Sequence, residues 1–143
     1  MDFFDSSTFI AAVSEDDPEH EVSARAWRSS RRRGLYAHAL LETFSILSGG
    51  RHPAGLSPGD AAKLIRLNVA SPGVQLIDIP SDSIIDLLAK AERIGIRGGA
   101  VYDYMHLAAA RGSGAKRIVT LNVRHFVAAA PDLAGMVFHP ADL

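Results

Sequence analysis

Short apolar segments alternate with longer segments of helical periodicity along the whole chain, and this alternation limits its possible folds more than any other feature. Strands that alternate with helices are typical of βαβ units, so the sequence predicts an α/β fold with a mainly parallel sheet flanked by helices. The predicted strands cover residues 2–5, 35–37, 74–79 and 117–120, and residues 136–138 fit a short last strand.

Start and stop signals divide the remaining segments into helices. Pro18 fits the first position of a helix, Ser57 and Pro58 form another helix start, and Gly49 and Gly50 are typical of a helix end. The predicted helices cover about residues 8–13, 19–32, 38–48, 57–68, 82–94 and 100–111, and a helical turn covers residues 123–126.

Composition excludes several classes of protein. The chain has 143 residues, 48% of them hydrophobic, which fits one domain over residues 1–143 with a sizeable core. No segment approaches the length of a membrane span, and the absence of cysteine excludes disulfides and thiolate metal sites. The first residues lack the basic region of a signal peptide. We therefore expect a cytoplasmic protein that does not associate with a membrane.

One basic segment contrasts with the formal net charge of −1 at pH 7. Arg28 and the arginines at 31–33 precede Gly34, and this order is typical of a helix end, where cations favour the helix dipole and glycine suits the next position. The same arginines also fit contact with RNA or with an acidic partner. The sequence leaves both interpretations open.

Four polar side chains recur in similar positions of the predicted βα units. Asp5 and Asn122 follow strands, whose carboxyl ends form the sheet edge where ligands bind. Glu42 and Asp103 lie on helices that we expect near the same edge. Each also has an ordinary structural interpretation: a helix cap for Asp5 and Asn122, a water contact for Glu42, and a favourable helix-dipole position for Asp103.

Considered together, these side chains indicate a metal site. Converging carboxylates repel one another and are costly to desolvate unless a cation neutralises them. Oxygen ligands without cysteine and without a paired-histidine motif suit Mg²⁺ or Mn²⁺ better than zinc. A cation of this type can bind a phosphodiester, activate a water and stabilise the leaving oxygen.

The polar residues belong to four short motifs: DSSTF at residues 5–9, LLETFSIL at 40–47, GGAVYDYMHLAAA at 98–110 and IVTLNVRHF at 118–126. In the order and spacing of these motifs, the chain resembles PIN-domain proteins, and specifically the VapC-type ribonuclease toxins. The resemblance extends over essentially the whole chain. Each motif alone is short and degenerate, so the ordered set carries the resemblance.

The resemblance implies a PIN-like α/β fold with an acidic pocket that binds Mg²⁺ or Mn²⁺. By motif position, Asp5, Glu42 and Asp103 take the places of the family's three main acidic residues and are the implied metal ligands. Asn122 takes a fourth place, which is aspartate in many members, and it adds no negative charge. Family members often carry a small polar residue after the first aspartate, here Ser6 or Ser7, and Ser7 suits either the positioning of a metal water or a turn at the helix start.

The resemblance also implies an activity and partners. It implies a toxin that hydrolyses RNA phosphodiester bonds, with Asp5, Glu42, Asp103 and Asn122 as its catalytic residues. A cognate VapB-like antitoxin protein and a homodimer are likewise implied by the family alone.

The sequence alone leaves other functions open. A non-catalytic PIN-like module that binds RNA or a protein is favoured by Asn122. A receiver domain fits less well, because the first strand is not followed by adjacent acidic residues and the late strands are not followed by a lysine. His106 and His125 are each candidates for metal or substrate contact, against a packing role for His106.

Overall fold

The computed structural model describes residues 1–143, which form a five-stranded sheet and seven α-helices. The strands are β1 (Asp2–Phe4), β2 (Arg33–Tyr36), β3 (Val74–Ile77), β4 (Arg117–Val119) and β5 (Val137–Phe138). The helices are α1 (Ser6–Val13), α2 (His20–Ser29), α3 (His38–Ser48), α4 (Pro58–Val69), α5 (Ser81–Ala91), α6 (Ala100–Gly112) and α7 (Val123–Ala129). None of these helices is both long enough and apolar enough to cross a membrane.

All five strands are parallel and lie in the order β3-β2-β1-β4-β5. The expectation of a parallel sheet flanked by helices is therefore confirmed. The chain adds β2 and β3 on one side of β1 and then returns to place β4 and β5 on the other side. A crevice forms where the direction of growth reverses, outside the carboxyl ends of β1 and β4, and ligands of open α/β sheets bind at such a point.

Alternation along the strands gives the sheet a hydrophobic core on each face. Phe3 and Phe4 are both fully buried but belong to different cores, because successive side chains of a strand point to opposite faces. Phe4 packs with residues of α1, α2 and α3, including Trp27, whose ring centroid lies 5.0 Å from that of Phe4. Phe3 packs with residues of α6 and α7, including Leu107 and Phe126.

The basic segment is the clearest departure from the predicted boundaries. Helix α2 ends at Ser29 and does not extend to Arg32, and Gly34 lies inside β2 and does not end the helix. The backbone N–H of Arg33 donates to the carbonyl oxygen of Gly73 at 2.8 Å, which starts the pairing of β2 with β3. Pairing of the backbone with a distant strand thus prevails over the local helix-end signal.

Smaller departures occur at other element ends. Strand β3 stops at Ile77, short of the predicted end at residue 79, and α7 extends to Ala129, beyond the predicted turn. Pro18 precedes the first residue of α2 by two positions and does not occupy the first helical position.

Candidate active site

Asp5 follows β1 directly and is held in place by the start of α1. Its Oδ1 accepts a hydrogen bond from the backbone N–H of Thr8 at 3.1 Å, so the carboxylate caps the helix. The hydroxyls of Ser7 and Thr120 donate to the same carboxylate at 3.0 Å. Asp5 is only 2% exposed, and this burial raises its pKa above the ordinary value although the hydrogen bonds oppose the shift.

The same two hydroxyls join the turn after β1 to the turn after β4. Ser7 Oγ accepts from the backbone N–H of Leu121 at 3.2 Å, and Thr120 Oγ1 accepts from that of Asn122 at 2.9 Å. The crevice between β1 and β4 is therefore lined by a rigid, hydrogen-bonded pair of turns. Ser7 positions Asp5 in this structure, as its hydroxyl donates to both carboxylate oxygens.

Glu42, on the first turns of α3, accepts hydrogen bonds from three side chains. His38 Nδ1 and His106 Nε2 lie 3.0 and 2.9 Å from its Oε1, and Ser6 Oγ donates to its Oε2 at 2.7 Å. Burial alone would raise the pKa of this carboxyl, but the donors prevail and lower it to about 2. Glu42 is therefore a firmly ionised group in a defined orientation.

His106 connects Glu42 to the interior of the protein. Its side chain is almost completely buried, and the rings of Phe3 and Tyr36 pack against it edge-on, with centroids at 6.3 and 5.6 Å. Nδ1 of His106 is buried without a hydrogen-bond partner, so the ring engages the site through Nε2 alone. His106 thus combines the predicted packing role with an orienting contact to a carboxylate.

Asp103 lies in the first turn of α6 and is half-buried. Burial raises its pKa, and the negative charges of Asp5 and Glu42 raise it further, while His106 and His125 act in the opposite direction. These mutual effects show that the structure brings Asp103, Asp5 and Glu42 into one electrostatic group. His125 lies at the same group, although α7 carries it on an exposed position.

Asn122 immediately precedes α7, and its side chain does not cap the helix. The backbone carbonyl of Asn122 accepts from the N–H groups of His125 and Phe126, and the amide side chain is exposed. The predicted helix cap is therefore made by the backbone of Asn122 and not by its side chain. The side chain is left available for water or substrate.

The site offers oxygen donors, which are the type of ligand that suits a divalent cation such as Mg²⁺. Burial first, and the charges of Asp5 and Glu42 second, raise the pKa of Asp103, and a bound cation would act against both by stabilising the ionised carboxylate. However, no three His, Asp or Glu side chains are arranged to hold a metal ion together. Both oxygens of Glu42 and both oxygens of Asp5 already accept hydrogen bonds, which favours contact with a cation through water for these two residues.

A large groove lies elsewhere on the molecule and is lined by none of the predicted site residues. It has a volume of about 820 Å³ and is bordered by α5, α6 and the segment after α7. Its lining is more than half hydrophobic and includes Ile77, Leu87 and Leu107. The candidate site is therefore defined by its charged groups and by its place at the strand ends, and not by cavity size.

Comparison with known families identifies the protein class. The PIN domain family matches residues 3–130, which include both turns of the crevice and all four predicted site residues. The chain belongs to the PIN domain family. It is similar to ribonuclease VapC27 of Mycobacterium tuberculosis (strain ATCC 25618 / H37Rv), with 38% identity over 99 residues, or 69% of each chain. This homology places it among the VapC-type PIN proteins.

A solved structure supports the PIN fold independently of that match. The chain is similar to the crystal structure of Mycobacterium tuberculosis VapC20, a sarcin–ricin loop cleaving toxin, with a TM-score of 0.65 and 24% sequence identity. The similarity covers 82% of this chain and 87% of VapC20. At this level of identity, the comparison establishes a shared fold.

Several residues of this PIN site were missed by the sequence patterns. His38 had a usable signal, since it precedes Glu42 by one helical turn, a spacing at which side chains meet. Thr120 had none, because its contact with Asp5 joins positions 115 residues apart. Ser6 was indicated by its place after the first aspartate, but its contact with Glu42, 36 residues away, was not. Such contacts depend on the order of strands in the sheet, which no local pattern specifies.

Proposed function

We propose that the protein is a metal-dependent endoribonuclease and the toxin component of a VapBC-type toxin–antitoxin pair, which hydrolyses RNA phosphodiester bonds. Homology supplies the class, a VapC-type PIN toxin ribonuclease, and PIN nucleases are generally metal-dependent. The observation that carries the proposal for this chain is the buried Asp5 beside Asp103 and Glu42 at the reversal point of the sheet.

The proposed ligands of Mg²⁺ or Mn²⁺ are the three carboxylates of the site. Asp5, Glu42 and Asp103 would hold the cation directly or through water. The chemistry that such a cation would supply is a lower pKa for a water that attacks the phosphorus and stabilisation of the departing 3′ oxygen. Ser7 and Thr120 keep Asp5 oriented throughout.

Other side chains act on the substrate and on the attacking water. The amide of Asn122 can both donate and accept, which suits it to orient the water. Arg97 and Arg124 are exposed and are proposed to contact the RNA backbone. Contacts with phosphates add affinity without choosing a sequence.

Cleavage of RNA by the purified protein tests the proposal. We expect a mixed-sequence RNA to be cut in the presence of Mg²⁺ or Mn²⁺, and the cleavage to be lost in EDTA and in the Asp5→Ala variant. Asp86→Asn is a matched control, because Asp86 is exposed and lines the distant groove. Wild-type protein that is folded, free of antitoxin and inactive with both metals would contradict the proposal.

Inactivity of that kind would favour a second function, a non-catalytic PIN-like module that binds RNA or a protein. Asn122 is the observation in its favour, because a neutral amide at this position reduces the charge available to a metal. Retention of RNA binding by Asp5→Ala protein, together with an inactive wild type, would support this alternative.

The proposed partners follow from the same assignment. We propose a VapB-like antitoxin that inhibits the site, a homodimer, and action in the cytoplasm, where RNA is available. Exposed apolar side chains on two parts of the surface suit protein contacts. They are Leu41, Phe44 and Ile46 of α3 with Leu67 of α4, and Ile85 and Leu88 of α5 with Ile94. Light scattering of the purified chain tests the homodimer.

A further inference from the structure

Three aromatic rings lie in a row along one border of the acidic group. The rings of Tyr36 and His38 are stacked with centroids 6.0 Å apart, and those of His38 and Tyr102 with centroids 5.3 Å apart. The planes of His38 and Tyr102 differ by only 11°, so these two rings are nearly parallel. The row ends at Tyr102, which is 50% exposed.

Direct contacts fix this row beside the carboxylates. His38 lies within hydrogen-bond distance of Glu42, with 3.0 Å between Nδ1 and Oε1. Tyr36 packs edge-on against His106, which contacts the same oxygen of Glu42. Tyr102 immediately precedes Asp103 on α6. Tyr102 therefore lies at the rim of the site, with its ring stacked on the histidine that contacts Glu42 and with Asp103 as the next residue of the helix.

The environment of Tyr102 favours a contact role over a packing role. Half of its surface is in water, whereas the next tyrosine of α6, Tyr104, is partly buried against the large apolar groove. His38, hydrogen-bonded to Glu42, supports the Tyr102 ring from one side. An aromatic ring held in advance in this way loses little conformational freedom when a second flat group stacks on it.

We propose that Tyr102, supported by His38, is a stacking platform for an unpaired RNA base adjacent to the phosphate at the acidic group. This inference rests on the proposed ribonuclease function and adds a base-contacting residue to the proposed site. Stacking requires a base with an accessible face, as in single strands and loops, and bases within a regular duplex are already stacked on their neighbours. Stacking on an aromatic ring is tolerant of base identity, so Tyr102 contributes affinity and not a sequence preference.

Three variants separate stacking from the other properties of this side chain. Tyr102→Leu removes the aromatic ring and retains an apolar side chain, while Tyr102→Phe retains the ring. Tyr104→Leu makes the same chemical change two positions along α6, at a residue that faces the large groove. Each variant is made in the Asp5→Asn background for binding and in the wild-type background for cleavage.

The binding measurement uses fluorescence anisotropy of a labelled single-stranded oligoribonucleotide in Mg²⁺. We expect Tyr102→Leu to raise the Kd by at least about fivefold, whereas Tyr102→Phe and Tyr104→Leu bind like the parent. A duplex of the same sequence is expected to bind more weakly and to be insensitive to Tyr102→Leu. In cleavage, Tyr102→Leu should raise KM and leave kcat nearly unchanged, because the base is bound equally in the ground state and in the transition state.

Equal binding by the Tyr102→Leu and Tyr104→Leu proteins would overturn the platform while leaving the ribonuclease intact. A fall in kcat without a change in KM would also overturn it. If the wild type fails to cleave RNA and the Asp5→Asn parent fails to bind it, the proposed function itself fails, and the platform fails with it.

Discussion

Asp5 and Glu42 are two carboxylates of one charged group whose surroundings shift their pKa values in opposite directions. Asp5 is buried among hydroxyl and amide donors, and desolvation prevails, so its pKa is raised. Glu42 is less buried and faces two imidazoles, so its pKa is lowered to about 2. Divergent pKa values of neighbouring acids are typical of functional sites.

Replacing Asp5 by asparagine should stabilise the metal-free protein while abolishing cleavage. A raised pKa in the folded state means that the wild type loses stability as the pH rises from the ordinary aspartate range near 3.8 through the folded pKa. The Asp5→Asn protein does not lose stability in this pH range, because the asparagine amide does not ionise. In EDTA at pH 7.5, we expect a gain of about 1 kcal/mol in unfolding free energy, or roughly 3 °C in Tm.

Thermal unfolding in EDTA at a series of pH values measures this difference. The gain from Asp5→Asn should shrink as the pH falls toward 4, since the wild-type carboxyl then becomes neutral as well. Glu42 affects the free energy of unfolding in the opposite direction. Because its pKa is lowered in the folded state, it stabilises the protein at neutral pH, and this stabilisation is lost as the pH falls from 4.5 toward about 2. A variant less stable than the wild type at pH 7.5 would show that Asp5 is needed as an anion for folding.

Asn122→Asp should tighten the binding of Mn²⁺ by about tenfold, because an added carboxylate increases the charge available to the cation. The same charge should lower the Tm in EDTA, since it adds to the repulsion around Asp103. Isothermal titration calorimetry measures the affinity. Unchanged or weaker Mn²⁺ binding would place the side chain of Asn122 outside the metal environment.

At the scale of elements, the turn into β3 depends on a single glycine. Gly73 has a φ of +84°, in the left-handed region, and its carbonyl accepts the N–H of Arg33 at the start of the β2–β3 pairing. A Cβ at this position would also overlap the carbonyl oxygen of Arg31. Both backbone conformation and space therefore require glycine here.

Gly73→Ala should destabilise the fold by about 2–4 kcal/mol, since it combines an unfavourable φ with a steric clash against backbone. Gly95→Ala is the matched control, because Gly95 has a φ of +72° but no atom within 4 Å of an added Cβ. The control should cost only about 1 kcal/mol. Urea unfolding followed by circular dichroism compares the two. If the two variants lost the same unfolding free energy, the clash at Gly73 would have to be relieved by movement of the Arg31 backbone.

Element order was predictable from the sequence, whereas element ends that depend on distant pairing were not. The helices 38–48 and 100–111 were predicted within one residue, since their starts and stops are set by local residue types. The end of α2 was wrong by three residues, because Arg33 pairs with Gly73 across 40 positions of sequence. Local patterns carry no information about that pairing.

At the scale of the whole molecule, the order of strands assembles the candidate site. Returning the chain to the other side of β1 puts the turn after β4 against the turn after β1, with Thr120 bonded to Asp5. The sequence identified Asp5, Glu42, Asp103 and Asn122 as candidates by their position in βα units. It did not reveal that His106 contacts Glu42, because these two residues are 64 positions apart in the sequence.

The ends of the RNA fragments test the central claim most directly, namely that this acidic group supports metal-dependent hydrolysis by water. One RNA is incubated with Mn²⁺ and wild type, Asp103→Asn or Asp86→Asn, and the product ends are identified. Attack by water with departure of the 3′ oxygen predicts 3′-hydroxyl and 5′-phosphate ends from the wild type and Asp86→Asn, and no fragments from Asp103→Asn. Fragments with 2′,3′-cyclic phosphates, or equal cleavage by Asp103→Asn, would contradict the claim.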